Sequence, residues 1–222
     1  RAPGLHLSEK GLAQAERLAE RFQGLSVDAL YTSPLERTRE TAEPIEWSEP
    51  LWFETDADDS GRAAVRAALA EDIGGRRGME FSPEEITVMT GGKPVITKFL
   101  QAVMNPGDEV LYPNPGFPIY ESQIEYLGGV GRAYRYLPTD DGFRIDLDQV
   151  RDQITAKTVA IIYNDLQNPI SAESTDTERE AIAQIAQEHD LWVLSDEAYF
   201  EMRYGGESTS IATLPGMRER TI

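Results

Sequence analysis

The chain has 222 residues, 39 of them Asp or Glu against 21 Lys or Arg, for a formal net charge of -18. Such an acidic excess argues against nucleic acid and against membranes as partners, because both are bound through positive patches. With no cysteine, disulfides and thiolate metal sites are excluded, and His6 and His189 lie too far apart in sequence for a histidine metal cluster. No apolar run reaches membrane-spanning length and no signal peptide is visible, so the expected location is cytoplasmic. The first residue is Arg rather than Met, and the expectation is a start inside a longer reading frame.

Residues 8–23 predict an amphipathic helix, with Ser8 as N-cap and Leu12, Ala15, Leu18, Ala19 and Phe22 at helical spacing. Val27 to Thr32 reads as a strand, and Ser33-Pro34 opens a second helix that carries Arg37. Residues 46–60 cluster acids, a proline, Trp47 and Trp52 without a period, and read as a joint between unlike pieces. A helix follows over 61–73, with Val65, Ala68, Leu69 and Ile73 on one face and Gly74-Gly75 as its end.

From there the pattern is regular. Strands are predicted at Ile86–Met89, Glu109–Tyr112, Gly131–Tyr136, Thr158–Tyr163 and Leu191–Leu194. Between them lie helices from the Thr90–Lys93 turn to about Met104, then at Ile119–Leu127, Leu147–Ile154 and 175–190, with Ile182, Ile185 and Ala186 inward. Strands alternating with helices predict a parallel, doubly wound sheet with right-handed crossovers.

The chemistry gathers at the strand ends. Leu191 to Leu194 is apolar without alternation, a strand buried on both faces, and it runs directly into Ser195-Asp196-Glu197-Ala198-Tyr199. Asp196 therefore sits at the carboxyl edge of a parallel sheet, where open α/β folds bind ligands. A carboxylate there needs a cation: the protonated ring nitrogen of a cofactor would serve, and so would an arginine, or the acid could cap a helix. Gly91-Gly92-Lys93 lets backbone N–H groups at a helix start approach a phosphate, or is an ordinary turn. Phe117 could stack on a flat ring or fill the core; Asn168 offers an amide to a phenolic oxygen or belongs to a plain Asn-Pro turn. Together these groups suit a substituted pyridine that carries a phosphate.

Two family resemblances follow from these segments. "LHLSEKGLAQAERLAERFQGLSVDALYTSPLERTRETAEPI", within residues 1–45, resembles the histidine phosphatase (phosphoglycerate mutase-like) family, whose phosphate-holding arginine Arg37 matches. The Arg-His-Gly nucleophile motif of that family has no match here, His6 included, which ranks a phosphatase last among the readings. Residues from about 61 to 222 resemble the class I/II aminotransferases, pyridoxal-phosphate (PLP) enzymes of fold type I. "VMTGGKPVITKFLQAVMNPGDEVLYPNPGFPIYESQIEYLGG" and "LWVLSDEAYFEMRYGGESTSIATLPGM" carry the likeness.

That resemblance implies a three-layer, doubly wound, mostly parallel α/β sheet, the PLP fold-type-I large domain in incomplete form, behind an N-terminal α/β segment. It implies that Gly91, Gly92 and Lys93 hold the cofactor phosphate, that Phe117 stacks on the ring, and that Asn168 and Tyr199 hydrogen-bond its phenolic oxygen. Asp196 would pair with the ring nitrogen, making Asp196 and Tyr199 the candidate catalytic residues. Substrates would be an amino acid and a 2-oxo acid, and the assembly a homodimer.

The departures are specific. The Asn168-Pro169 loop continues Ile170-Ser171 where the family has Thr-Gly, and Asp56 falls near a partner-subunit tyrosine position. The Ser-x-Ser-Lys segment with the Schiff-base lysine lies past the position of Ile222, and Lys10, Lys93, Lys98 and Lys157 do not match its context. The expectation is an aminotransferase-like chain, inactive as these residues alone, with a non-catalytic PLP-binding or assembly module as the alternative.

Overall fold

Ser8 opens the first helix, α1 (Glu9–Phe22), its hydroxyl accepting from the Gly11 N–H at 3.2 Å, as expected for an N-cap. Ala15 is buried, whereas Leu12 and Leu18 are exposed. The Glu40 carboxylate accepts from the Leu7 N–H at 2.6 Å and meets the His6 ring. This computed structural model describes residues 6–22, 40, 41, 44 and 59–222, in two units, Arg1–Ala64 and Val65–Ile222. The predicted strand at 27–32, the helix from Ser33 with Arg37, and Trp47, Trp52 and Asp56 lie outside the described residues.

Helix α2 (Asp59–Arg77) continues through Gly74-Gly75, where the sequence predicted its end. The stop is Gly78, at φ +64, and the Met79 N–H returns to the Gly74 carbonyl at 3.0 Å, a Schellman-type closure. Gly74 is needed for that approach: a Cβ there would stand 2.5 Å from the Met79 carbonyl oxygen. The inward stripe is Ala70, Gly74 and Arg77; the predicted face is wrong by part of a turn, since Val65 and Ala68 are exposed.

The sheet follows. Strands β1 (Glu109–Pro113), β2 (Val130–Tyr134), β5 (Thr158–Asn164) and β6 (Trp192–Asp196) pair in parallel in the order β2-β1-β5-β6. Helices α3 (Gly92–Val103) and α4 (Ile119–Tyr126) cover one face over Val110, Tyr112, Ala160, Ile162 and Leu194. Helices α5 (Leu147–Asp152) and α6 (Asp176–Glu188) cover the other over Leu111, Ile161, Tyr163 and Val193. Each strand thus sends alternate side chains into two apolar layers, the three-layer arrangement expected. Trp192 is the exception: it is 41% exposed, so the last strand is buried on both faces only from Val193 onward.

Two differences from the predicted strands have physical causes. Ile86–Met89 is not a strand; it follows a 3-10 turn, Pro83–Glu85, and Val88 is 59% exposed. A strand requires a ladder partner, and the outer edge of β6 is taken instead by residues 220–222, with Ser195 N–H to Ile222 O at 2.8 Å. The predicted strand 131–136 breaks at Arg135 into β2 and a separate antiparallel hairpin, β3 (Tyr136–Thr139) with β4 (Gly142–Ile145). Asp140-Asp141 is the turn, and Gly142 at φ +117 follows it as the first residue of β4.

At the amino end of β1 a buried carboxylate ties three elements together. Glu109 accepts from Arg132 and from the Thr155 and Thr158 hydroxyls at 2.7 and 3.2 Å. The Arg132 guanidinium, aided by both threonines, holds its pKa below the usual carboxylate value against the effect of burial. A depressed folded pKa contributes stability above the unfolded value, about 4.3, that is lost as pH falls through the folded value. Glu109→Gln is therefore expected to lower the urea midpoint at pH 7 and to flatten the fall in midpoint between pH 5 and pH 3.

Candidate functional site

The chain passes outward from β1 to β2 and then returns to the other side of β1 for β5 and β6. That reversal makes β1 and β5 a switch point, where loops leaving the carboxyl ends part and open a crevice. Phe117 comes from the loop after β1, Asn168 from the loop after β5, and Asp196 and Tyr199 from the end of β6. Asn164 and Asp196 are register partners, so the two strand ends lie level.

A cavity of about 480 Å³ opens there, and Gly92, Phe117, Asn168, Asp196 and Tyr199 all line it. Gly91 and Lys93 flank it at the start of α3: Gly91 is the N-cap at φ +102, and the Lys93 side chain is exposed. The Gly91 N–H is engaged by the Met89 carbonyl at 2.9 Å. The N–H groups of Gly92 and Lys93 belong to the first turn of the helix, which leaves them without intrahelical partners and in the position where helix starts can meet an anion. A Cβ built on Gly92 meets nothing within 4 Å, so the glycine keeps open space that a phosphate fits.

Three further residues, absent from the sequence reading, hold the predicted ones in place. Tyr120, fully buried, donates its hydroxyl to Asp196 Oδ2, while the Ala198 N–H reaches Oδ1 at 3.3 Å. Burial, then the Asp196 charge, push the Tyr120 pKa far up, so the phenol stays a donor. Tyr120 also meets Phe117 edge-on, with centroids 5.8 Å apart. Asn164 donates Nδ2 to the Asp196 carbonyl at 2.8 Å and accepts from the Asn168 N–H at 3.1 Å. Asn168 Nδ2 in turn reaches the Tyr199 hydroxyl at 3.5 Å. Arg77 lines the same cavity from α2 and pairs with Glu197 at 2.6 Å. The Phe117-to-Tyr120 spacing at a helix start could have flagged Tyr120; only the fold brings in Arg77.

The Phe117 loop is itself tightly held. Gln167 Nε2 donates to the Pro115 carbonyl at 2.5 Å, and a Cβ on Gly116 would lie 2.1 Å from the Pro113 carbonyl oxygen. Gly116→Ala must displace backbone, at an expected cost of about 1–3 kcal/mol in urea unfolding.

A glycine at a helix start, an aromatic ring, an amide with a phenol, and an acid at a strand tip thus line one cavity on a doubly wound sheet. Residues 57–221 match the aminotransferase class I and II family model, and residues 1–58 match that of the histidine phosphatase superfamily, branch 1. The chain is 35% identical over 167 residues to arginine–pyruvate transaminase AruH of Pseudomonas aeruginosa, covering 74% of this chain and 42% of that protein. It is 37% identical over 154 residues to aspartate/prephenate aminotransferase of Thermus thermophilus, covering 69% and 40%. Among solved structures, N-succinyldiaminopimelate aminotransferase from Mycobacterium tuberculosis superposes with TM-score 0.70 at 25% identity, over 100% of this chain and 51% of that one. Thermus thermophilus aspartate aminotransferase with maleate gives 0.67 at 30%, over 96% and 47%. The chain belongs to the aminotransferase class I and II family, whose members are PLP-dependent. It spans about two fifths of the length of these curated relatives, 42% and 40%.

Proposed function

We propose that these residues form the cofactor-holding part of a PLP-dependent aminotransferase that moves an amino group between an amino acid and a 2-oxo acid. The supporting observation is the single cavity that takes in Gly92, Phe117, Asn168, Asp196 and Tyr199. When bound, PLP supplies an electron sink for the bond broken at the amino acid α-carbon. The Gly92 and Lys93 N–H groups bind its phosphate, and Phe117 covers a ring face and excludes water. Asn168 and Tyr199 hydrogen-bond the phenolic oxygen. Asp196 keeps a proton on the ring nitrogen, its own carboxylate oriented by Tyr120 and Ala198. A homodimer and a cytoplasmic location belong to the same reading.

One observation favours the second reading, a module that holds PLP without a covalent link: among the described residues, no lysine lines the cavity. Of the phosphatase reading's residues, Arg37 is outside the described set and His6 faces Glu40.

The test is a fluorescence titration of the 222-residue chain with pyridoxamine 5'-phosphate. Saturable one-to-one binding is expected, weakened at least about tenfold by Gly92→Val with the thermal midpoint unmoved, since the new side chain enters open space. PLP followed by borohydride should leave no stoichiometric adduct on any one lysine. An absence of binding would refute the cofactor reading; a trapped adduct at a unique lysine would refute the non-covalent one.

A further inference from the structure

Arg77 closes the last turn of α2, remote in sequence from the strand end it touches. Its Nε donates to Glu197 Oε2 at 2.6 Å, and its guanidinium lies 4.4 Å from the centroid of the Phe200 ring. Both charged side chains are largely buried, 17% and 12% exposed. Glu197 Oε1 is pinned as well, by the Ser195 hydroxyl at 2.9 Å and the Ser210 hydroxyl at 2.5 Å. The Phe200 N–H returns to the Glu197 carbonyl at 3.0 Å, making 197–200 one turn.

The spacing matters. Asp196 and Tyr199 line the cavity, and Arg77 holds the residue after each of them, Glu197 and Phe200. The pair Arg77–Glu197 also lines a smaller cleft of about 230 Å³, so it borders both spaces. We infer that Arg77 is a positioning residue: by gripping Glu197 and the Phe200 ring it fixes the depth at which Asp196 and Tyr199 enter the cofactor cavity. This rests on the PLP reading above. A planar guanidinium makes the ion pair and the ring contact together, whereas an ammonium makes the first without the second.

The experiment compares the affinities of the full chain for pyridoxamine 5'-phosphate and for its 1-deaza analogue, in which the ring nitrogen is a C–H. The ratio isolates the Asp196 contact. In Arg77→Met the ratio is expected to fall at least about fivefold from a parent value of about 10–100, with Arg77→Lys between the two. If both affinities drop by one common factor, Arg77 is merely structural and the inference is overturned. A ratio near one in the parent chain overturns the Asp196 role and this inference together; an intact parent ratio unmoved in the variants overturns this inference alone. Should Arg77→Met fail to fold, Glu197→Gln decides, because it keeps size and the acceptor for both serines while removing the charge that Arg77 meets. A folded Glu197→Gln with the parent ratio would again overturn it.

Discussion

Asp196→Asn is expected to weaken pyridoxamine 5'-phosphate binding by about 10- to 100-fold while leaving the deaza analogue bound as before. The size follows from one charge-assisted hydrogen bond, about 1.5–3 kcal/mol, converted to an affinity ratio. Asn is the informative choice because Tyr120 is fully buried and donates to Asp196 Oδ2. Asp196→Ala would orphan that hydroxyl and mix a folding cost of about 1–3 kcal/mol into the result. Asn keeps an acceptor for it and removes the charge, its Nδ2 taking the place of the oxygen that the Ala198 N–H reaches at 3.3 Å. The nitrogen-15 shift of the bound ring is the second readout: protonated in the parent chain, unprotonated in Asp196→Asn. Equal binding of both ligands by parent and variant would dispose of the role assigned to Asp196.

The second large effect is on folding. Asn164 is 2% exposed, and its amide serves the Asp196 carbonyl on one strand and the Asn168 N–H on the next loop. Asn164→Ala takes this partner from two partly buried backbone groups, an expected loss of about 1–3 kcal/mol in urea unfolding. Asn164→Asp should be worse, because it keeps the acceptor for Asn168 but turns a carboxylate toward a carbonyl oxygen. A midpoint unchanged in Asn164→Ala would mean that the two loops are held by something other than this amide. The loss bears on the site because Asn168 and Asp196 both depend on Asn164 for their placement.

The elements that were legible in the chain were those whose signal is local. Thr158 to Tyr163 and Leu191 to Leu194 are short apolar runs, and each became a strand between the two helical layers. The N-cap at Ser8 and the glycine turn at Gly91-Gly92 that opens α3 were legible for the same reason, since a cap or a glycine turn is decided within a few residues. Ile86–Met89 was misread because strand propensity cannot report whether a neighbouring strand is there to pair with. The end of α2 was misread because two glycines resemble a stop, when one of them is needed for a close approach made five residues later.

What the amino-acid order determined alone was the class of fold, through alternating apolar runs and helical periods, and the kinds of group available at the strand tips: an acid, an amide, a phenol, an aromatic ring and a glycine turn. Only the tertiary structure decided that these groups share one cavity, that Tyr120 and Asn164 hydrogen-bond to Asp196, and that Arg77 pairs with Glu197 beside it. The reason is that periodicity is a property of neighbours along the chain, whereas a site is set by which strand ends the sheet order brings level. That order depends on the burial of the whole core and not on any single segment.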